Sequence, residues 1–242
     1  MNDLPENISL AAEAYEVLRE RILRGEMSIG KVISRRQIAT ELGMSLVPVA
    51  EALQRLEFEG LLESRPRAGT RVKIPTEQDV RGHYVVREAL EVQAAKLFAE
   101  VATAPERAEL QRLAVRVDAL SSQLDQDRFR YLSLHEKLHR RIAECTRCQA
   151  LCEAIEKNHI LASTWLCTPK PATTTPAHTH QDLVKALTEG TPEAAAKAMQ
   201  KHVQSALKNT LKRLEPYFQT TAVNGLTYVR GRKKTKASAP LT

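Results

Sequence analysis

Hydrophobic residues recur at helical spacing through most of the chain, beginning near its amino terminus. The first predicted helix carries its apolar side chains on one face, at Ala11, Tyr15, Leu18 and Ile22. Steps of three and four residues are the periodicity of an amphipathic helix. Ser9 stands directly before this run, where its hydroxyl can cap the first turn. The pattern therefore predicts a helix that begins just after Ser9.

Two shorter helices are predicted next, separated by a tight turn. Ser34 and Gln37 have the spacing of a capping box, which opens the second helix. Gly43 supplies the turn that follows it. Ser45 is placed to cap the third helix. Pro48 is tolerated in the first turn of that helix, because the amide it lacks would have no partner inside the helix.

The third helix is followed by the chain's clearest strand pattern. Residues Leu61–Glu63 and Thr70–Lys73 read as two short strands around a turn that carries Arg65 and Arg67. Helix, turn, helix and basic hairpin is the layout of a winged helix-turn-helix, in which one helix enters the major groove and the hairpin contacts phosphates or the minor groove. The alternative is a small helical domain with a charged surface loop.

The rest of the chain is helical in pattern and divides into two segments. Pro75 ends the first region, and Thr76 can start a new helix. We therefore predict domains at residues 1–75 and 76–218, followed by a disordered tail at residues 219–242. The predicted fold is mainly α, with an amino-terminal winged helix-turn-helix and a carboxy-terminal all-α bundle of about six or seven helices.

Composition supports this division and excludes some classes of protein. Apolar residues make up 43 % of the chain and aromatic residues only 4 %, which favours packed helices over sheet. No stretch approaches the ~20 apolar residues of a membrane helix. The first ten residues lack the basic and apolar regions of an export signal, so we expect a cytoplasmic protein.

The net charge of +7 is concentrated at the carboxy terminus. The basic residues of the tail are Arg230, Arg232, Lys233, Lys234 and Lys236. Net charge is therefore weak evidence for a nucleic-acid partner, and two interpretations of the tail stay open. It either adds salt-dependent affinity for DNA phosphates or is a solvated end of the chain.

Four histidines fall on inward-facing positions of three predicted helices. They are His135, His139, His180 and His202, and each aligns with apolar residues at helical steps. A shared divalent cation satisfies the ring nitrogens of several buried histidines at once. Alternatively, each histidine makes its own hydrogen bond in the core. The pattern predicts a metal site while leaving that second possibility open.

The segment from Ile33 to Val72 resembles the DNA-binding domain of GntR-family bacterial transcription regulators. The resemblance rests on the motifs Ile38-Ala39, Leu42-Gly43, Pro48-Val49, Glu51-Ala52-Leu53, Glu59-Gly60-Leu61 and Gly69-Thr70. The DNA-contacting residues that it implies are Arg35, Arg36, Ser45, Leu46, Val47, Arg65, Arg67, Thr70 and Arg71.

This chain departs from that family at two positions of the recognition helix. Leu46 and Ala50 stand where the family usually carries arginine. Each lost bidentate contact removes about 1–3 kcal/mol of base discrimination. Either the operator differs, with Leu46 and Val47 touching thymine methyl groups, or the domain binds DNA weakly. We favour the different operator, because the scaffold and the wing are retained.

Residues 80–213 resemble the FCD-type helical domain that accompanies this DNA-binding domain in FadR-like regulators. The cues are VREALEVQAAKLFAE, HEKLHRRIAECTRCQAL, HQDLVKAL and EAAAKAMQKHV. Many such domains bind a metal through an aspartate and three histidines, and the resemblance places those histidines at His139, His180 and His202. His135 occupies the position of the aspartate. An all-imidazole set favours Zn²⁺ or Ni²⁺ over Mn²⁺ or Mg²⁺.

The resemblance also implies a small carboxylate effector at the metal. Arg87 matches the arginine that opens the first bundle helix in that family, and its guanidinium could bind a carboxylate. The alternative is a surface ion pair with Glu91, four residues further on.

Together these features predict a regulator, most simply a repressor, and not an enzyme. A homodimer would read a palindromic operator on double-stranded DNA. Two rival hypotheses remain. One is a hydrolase-like metalloenzyme, although the nearest acid, Glu136, would point away from the histidine face. The other is a DNA-binding dimer whose bundle and histidines are purely structural.

Overall fold

Three helices and a small sheet form the amino-terminal region of the computed structural model, which describes residues 9–65, 68–121, 128–166 and 179–229. The elements of this region are α1 (Leu10–Leu23), β1 (Val32–Ile33), α2 (Arg35–Leu42), α3 (Leu46–Phe58), β2 (Leu62–Arg65) and β3 (Gly69–Val72). All three predicted helices and both predicted strands are present. The predicted winged helix-turn-helix is confirmed.

Local capping explains where the first two helices begin and end. Ser9 Oγ accepts a hydrogen bond from the amide of Ala12 at 3.2 Å, and Ser34 Oγ accepts one from the amide of Gln37 at 3.3 Å. Gly43 ends α2 with φ +64°, a left-handed conformation that glycine adopts without strain. Ser9 and Ser34 therefore fix where α1 and α2 begin, and Gly43 forms the turn that orients α3 against α2.

Ser45 precedes α3 as predicted, but its side chain makes no capping hydrogen bond. The reason is Pro48, which occupies the third helical position and has no amide to donate to the hydroxyl. The Ser45 side chain is thereby left exposed at the amino-terminal end of the helix.

The sheet is antiparallel and has the strand order β1-β3-β2. Arg71 of β3 lies opposite Val32 on one side and Glu63 on the other. The two-residue strand β1 was not predicted, because two residues are too short to show an alternating pattern. It adds a third strand to the base of the predicted hairpin and so anchors the wing to the helices.

Six helices form the carboxy-terminal region within the described residues. They are α4 (Glu77–Val101), α5 (Ala104–Ser121), α6 (Arg128–Glu144), α7 (Gln149–Leu166), α8 (His180–Glu189) and α9 (Pro192–Val229). Tyr84 of α4 and Thr210 of α9 are buried, and their hydroxyl groups are 2.7 Å apart. The predicted helical bundle is confirmed. No helix in the described ranges is both long and apolar enough to cross a membrane.

The last helix is longer than the sequence pattern indicated. α9 continues past the predicted start of the tail at residue 219 and ends at Val229, with Pro216 inside it. That boundary was placed where the pattern turns polar, yet residues 219–229 contain no proline and a single glycine, Gly225. Residues 230–242, which carry the five basic side chains of the tail, lie outside the described residues.

The two regions touch where α1 meets α6. Arg19 Nη2 is 3.3 Å from Glu136 Oε1, and the Arg24 guanidinium lies over the Phe129 ring at 4.4 Å. Ile29 packs against the hydrophobic cores of both regions. The helix that carries His135 therefore also contacts the amino-terminal region.

Candidate functional site

Four histidine side chains meet inside the carboxy-terminal bundle. His135 and His139 come from α6, His180 is the first residue of α8, and His202 comes from α9. One ring nitrogen of each lies within 4.8 Å of those of the other three. We call this group the histidine cage. All four predicted metal ligands are thus brought together by the fold.

Helix geometry and capping place these rings. His135 and His139 are one helical turn apart on α6, and their ring centroids are 4.5 Å apart. Thr179 and Asp182 form a capping box that starts α8 at His180. The His180 ring is consequently held at the amino-terminal end of its helix, 5.0 Å from the His135 ring.

Two carboxylates approach the cage from outside. Glu91 Oε2 is 2.6 Å from His139 Nδ1, and Asp118 Oδ1 is 2.7 Å from His180 Nδ1. A carboxylate at Nδ1 fixes the ring orientation and leaves Nε2 as the donor atom, an arrangement typical of metal-binding histidines. The Nε2 atoms of His180 and His202 are buried and have no hydrogen-bond partner among the described residues.

Asp118 accepts hydrogen bonds from both the backbone and the side chains at the start of α8. It accepts from the amides of His180 and Gln181, each at 3.0 Å, and from Gln181 Nε2 at 3.1 Å. Burial raises the pKa of Asp118, but the hydrogen bonds from His180 and Gln181 outweigh it and lower the pKa to about 2. Asp118 is therefore an anion at neutral pH.

Two of the four imidazoles, His135 and His202, are held in the neutral form that metal coordination requires. Burial lowers the pKa of His135 and of His202 well below the usual value, and the neighbouring imidazoles lower it further. A neutral buried imidazole needs a partner for its lone pair. The four imidazoles with converging nitrogens form a donor set that fits a borderline cation such as Zn²⁺ or Ni²⁺.

Arg87 lies beside the cage and is almost completely buried, with 1 % of its surface exposed. Its Nε donates to Glu91 Oε1 at 2.5 Å. The predicted surface ion pair is therefore wrong in its location, since both partners are inside the bundle. The terminal nitrogens Nη1 and Nη2 of Arg87 have no hydrogen-bond partner in the described parts of the chain. They are available to an anionic ligand.

The sequence pattern does not indicate either carboxylate as a partner of the histidines. It offers Glu91 only as a surface partner of Arg87 and gives no signal for Asp118. The spacing of Glu91 from Arg87 was visible, but its contact with α6 depends on tertiary packing. Asp118 is 62 residues from His180, so no local pattern links them.

The candidate DNA interface lies on the amino-terminal region. Arg35, Arg36 and Arg65 are exposed. Leu46 and Val47 expose 50 % and 65 % of their surface at the start of α3. Their exposure makes these side chains accessible to methyl groups in a major groove.

Two other DNA-contact residues implied by the resemblance, Thr70 and Arg71, are less exposed to solvent. Thr70 is buried, because its hydroxyl lies 2.9 Å from that of Ser64 between the strands. Arg71 is half-buried and its Nε donates to Glu63 at 2.6 Å. Thr70 therefore does not face the surface that the other residues share. Arg67 lies outside the described residues.

Glu136 does not face the histidine cage. Its side chain contacts Arg19 of α1, and its position lies about 100° around α6 from His135. This matches the expected direction of Glu136 and leaves that residue without a role as a base at the cage.

Comparison with known families accounts for both regions. Residues 83–205 match the FCD domain model, and residues 10–72 match the model described as bacterial regulatory proteins, gntR family. The "Probable D-xylose utilization operon transcriptional repressor" of Paenarthrobacter nicotinovorans is 30 % identical over 84 % of this chain and 89 % of its own length. The HTH-type transcriptional repressor RspR of Escherichia coli is 24 % identical over 79 % of this chain and 85 % of its own.

Solved structures share the overall fold. McbR/YncC of E. coli superposes with a TM-score of 0.64 at 22 % identity, covering 91 % of this chain and 99 % of that one. A GntR regulator from Rhodococcus sp. RHA1 gives a TM-score of 0.66 at 20 % identity, covering 84 % and 97 %. The families and relatives matched here are transcriptional regulators, so the chain is assigned to that class and not to the enzymes.

Proposed function

The chain belongs to the gntR family of bacterial regulatory proteins and carries an FCD domain, and from this premise we propose that its bundle binds a divalent cation and a small carboxylate that control operator binding. The observation that carries the proposal is the histidine cage, whose four donors come from three helices. Two of the relatives are named as repressors, which supports repression as the mode of regulation here.

His135, His139, His180 and His202 would hold the cation. When bound, the ion supplies open coordination positions and positive charge to which a carboxylate can bind. Glu91 and Asp118 hold two of the imidazoles in orientation from outside. Zn²⁺ is the ion we propose, with Ni²⁺ as the alternative, because the donor set contains no carboxylate.

Arg87 is the protein group that would bind the effector. Its guanidinium is fixed by Glu91, while Nη1 and Nη2 are unused by the described residues. Two parallel N–H groups match the geometry of a carboxylate. An acid seated between this guanidinium and the cage would satisfy two buried donors that are otherwise unsatisfied.

On the DNA side, the exposed start of α3 would enter the major groove. Leu46 and Val47 would contact thymine methyl groups, and the arginines at positions 35, 36 and 65 would contact the backbone. A homodimer would place two such helices about one helical turn, ~34 Å, apart on a palindromic site.

The link between the two activities runs through α6. One face of this helix carries His135, and the next residue, Glu136, contacts Arg19 of the DNA-binding region. A ligand that favours one arrangement of α6 shifts the population of domain arrangements, and DNA affinity changes by the same coupling factor.

Replacement of a cage ligand tests this function. His202→Ala should lose stoichiometric zinc, measured by elemental analysis of protein purified without a tag, and should still bind an operator selected from random DNA. His83→Ala is the control, because His83 is half-buried in the same bundle but lies outside the cage. Anisotropy titrations with and without zinc then compare operator affinity.

Three outcomes would contradict the proposal. Wild-type protein without bound metal would favour a purely structural bundle. Zinc retained by His202→Ala would place the ion elsewhere. No enriched sequence at low salt would show that Leu46 and Ala50 have removed specific DNA recognition rather than changed it.

A further inference from the structure

The histidine cage is asymmetric in its outer contacts. His139 and His180 each have a carboxylate at Nδ1. No described residue makes a hydrogen bond or ion pair with His202. Second-shell carboxylates are the usual partners of metal-binding imidazoles. His202 is thus a proposed metal ligand that lacks a carboxylate partner from the described protein.

A cavity of about 290 Å³ lies against His202, between α8 and α9. It is lined by Asp182, Leu183, Ala194, Lys197, Ala198, Lys201 and His202. Nε2 of His202 is buried, whereas the residue as a whole is half-buried and reaches the cavity. His202 therefore lies between the cavity and the cage. The volume is close to the lower limit of ~300 Å³ for small-molecule sites.

The charges around this cavity favour an acid. Lys197 and Lys201 are one turn apart on α9, and both are exposed. Neither lysine forms an ion pair with another residue in the described parts of the chain. The one acidic residue at the rim, Asp182, accepts hydrogen bonds from the amide and hydroxyl of Thr179 at 3.2 and 2.8 Å, so its carboxylate is engaged at the helix cap. Two ammonium groups remain for a ligand.

We propose that this cavity is an outer binding subsite for a small dicarboxylate. One carboxylate would lie at the Nδ1 side of His202, as Glu91 and Asp118 lie at the Nδ1 atoms of His139 and His180. The ammonium groups of Lys197 and Lys201 would bind the acid's negative charge. The small side chains of Ala194 and Ala198 leave the volume that the carbon chain fills.

This inference deepens the proposed function, since it adds a second contact region to the same sensor and couples it to the cage. An acid that orients the His202 ring makes His202 a stronger ligand for the cation. The bound cation in turn fixes the ring that the acid contacts. By linkage, the factor by which the acid strengthens zinc binding equals the factor by which zinc strengthens acid binding.

Calorimetry on the full-length protein tests the subsite, with succinate as the probe and butyrate and inorganic phosphate as comparisons. Succinate should bind metal-free and zinc-loaded protein, more tightly in the second. The double variant Lys197→Gln/Lys201→Gln should weaken succinate binding roughly two- to thirtyfold, as expected for two exposed ion pairs. Ala198→Leu, which fills the cavity while keeping both lysines, should abolish succinate binding to the metal-free protein.

The matched control is Lys185→Gln/Lys208→Gln, which removes one exposed lysine from each of the same two helices without touching the cavity lining. It should bind succinate as the wild type does. The subsite is overturned if the Lys197/Lys201 variant retains wild-type succinate affinity, or if butyrate or phosphate binds as tightly as succinate. Zinc content, measured in parallel, reports on the cage separately: loss of zinc from the wild type contradicts the proposed function, not the subsite.

Discussion

Replacement of Asp118 by asparagine isolates the role of a carboxylate that never enters the histidine cage. Asp118 accepts four hydrogen bonds, two from His180 and two from Gln181. An asparagine side chain at this position would have the same shape, but it would lack the negative charge and one of the two acceptor oxygens. The variant therefore removes the anchor of the His180 ring while leaving the cage residues unchanged.

The structure sets the size of two separate effects. The lowering of the Asp118 pKa from 3.8 to about 2 corresponds to roughly 2 kcal/mol of stability at neutral pH. That loss lowers the melting temperature by about 4–8 °C for a chain of this size. The second effect is on metal affinity, where loss of an outer carboxylate costs about 10–100-fold.

Zinc affinity is measured by competition with a chelating dye, and stability by thermal unfolding of metal-free protein. Asp79→Asn is the control, because Asp79 is also a carboxylate with a lowered pKa that accepts hydrogen bonds at the start of a helix, here from Thr76, but it lies outside the cage. Both variants should lose stability, and only Asp118→Asn should lose zinc affinity. Equal zinc affinity in Asp118→Asn and wild type would refute the idea that Asp118 positions His180.

Two further predictions concern pH and domain coupling. The pKa values of His135 and His202 are lowered in the folded state, so the unfolded chain binds more protons than the folded chain as pH falls below about 6.5. The free energy of unfolding of the metal-free protein should therefore fall by up to about 1.4 kcal/mol per pH unit for each histidine. Denaturant unfolding at a series of pH values should show a shallower pH dependence for His202→Leu than for the wild type, and an unchanged dependence would contradict this. Arg19→Gln should leave zinc affinity unchanged and reduce the effect of zinc on operator binding, because it breaks the contact with Glu136. If zinc changes operator affinity in anisotropy titrations of this variant as much as in the wild type, the Arg19–Glu136 contact does not couple the two regions.

The amino-terminal region could be predicted almost completely because its signals are local. Capping serines, the glycine turn and the helical periodicity each act within a few residues, and the structure reproduces them at Ser9, Ser34 and Gly43. The exception is also local. Ser45 has the sequence of a cap, but Pro48 removes the donor that the cap would use.

The four histidines of the cage could be predicted from the sequence, but the carboxylates that contact them could not. Each histidine aligns with an apolar stripe, so periodicity places all four in the interior of the bundle. That they lie at the same level of the bundle was indicated by the resemblance to FCD domains, not by periodicity. The partners Glu91 and Asp118 come from α4 and α5, and their reach to the histidines depends on how those helices pack. Arg87 shows the same limit, since periodicity located it on α4 but could not show that it is buried.

Charge around the cage explains why the proposed sensor would favour an acid. Four neutral imidazoles leave the +2 charge of a bound cation uncompensated in its first coordination sphere. The charge of Glu91 is balanced by Arg87, so Asp118 is the one uncompensated carboxylate among the described residues that contact the cage histidines. The centre would then carry a net charge near +1 in a buried region. With aspartate at position 135 that charge would fall to near zero, so the histidine at this position strengthens the attraction for an anionic effector.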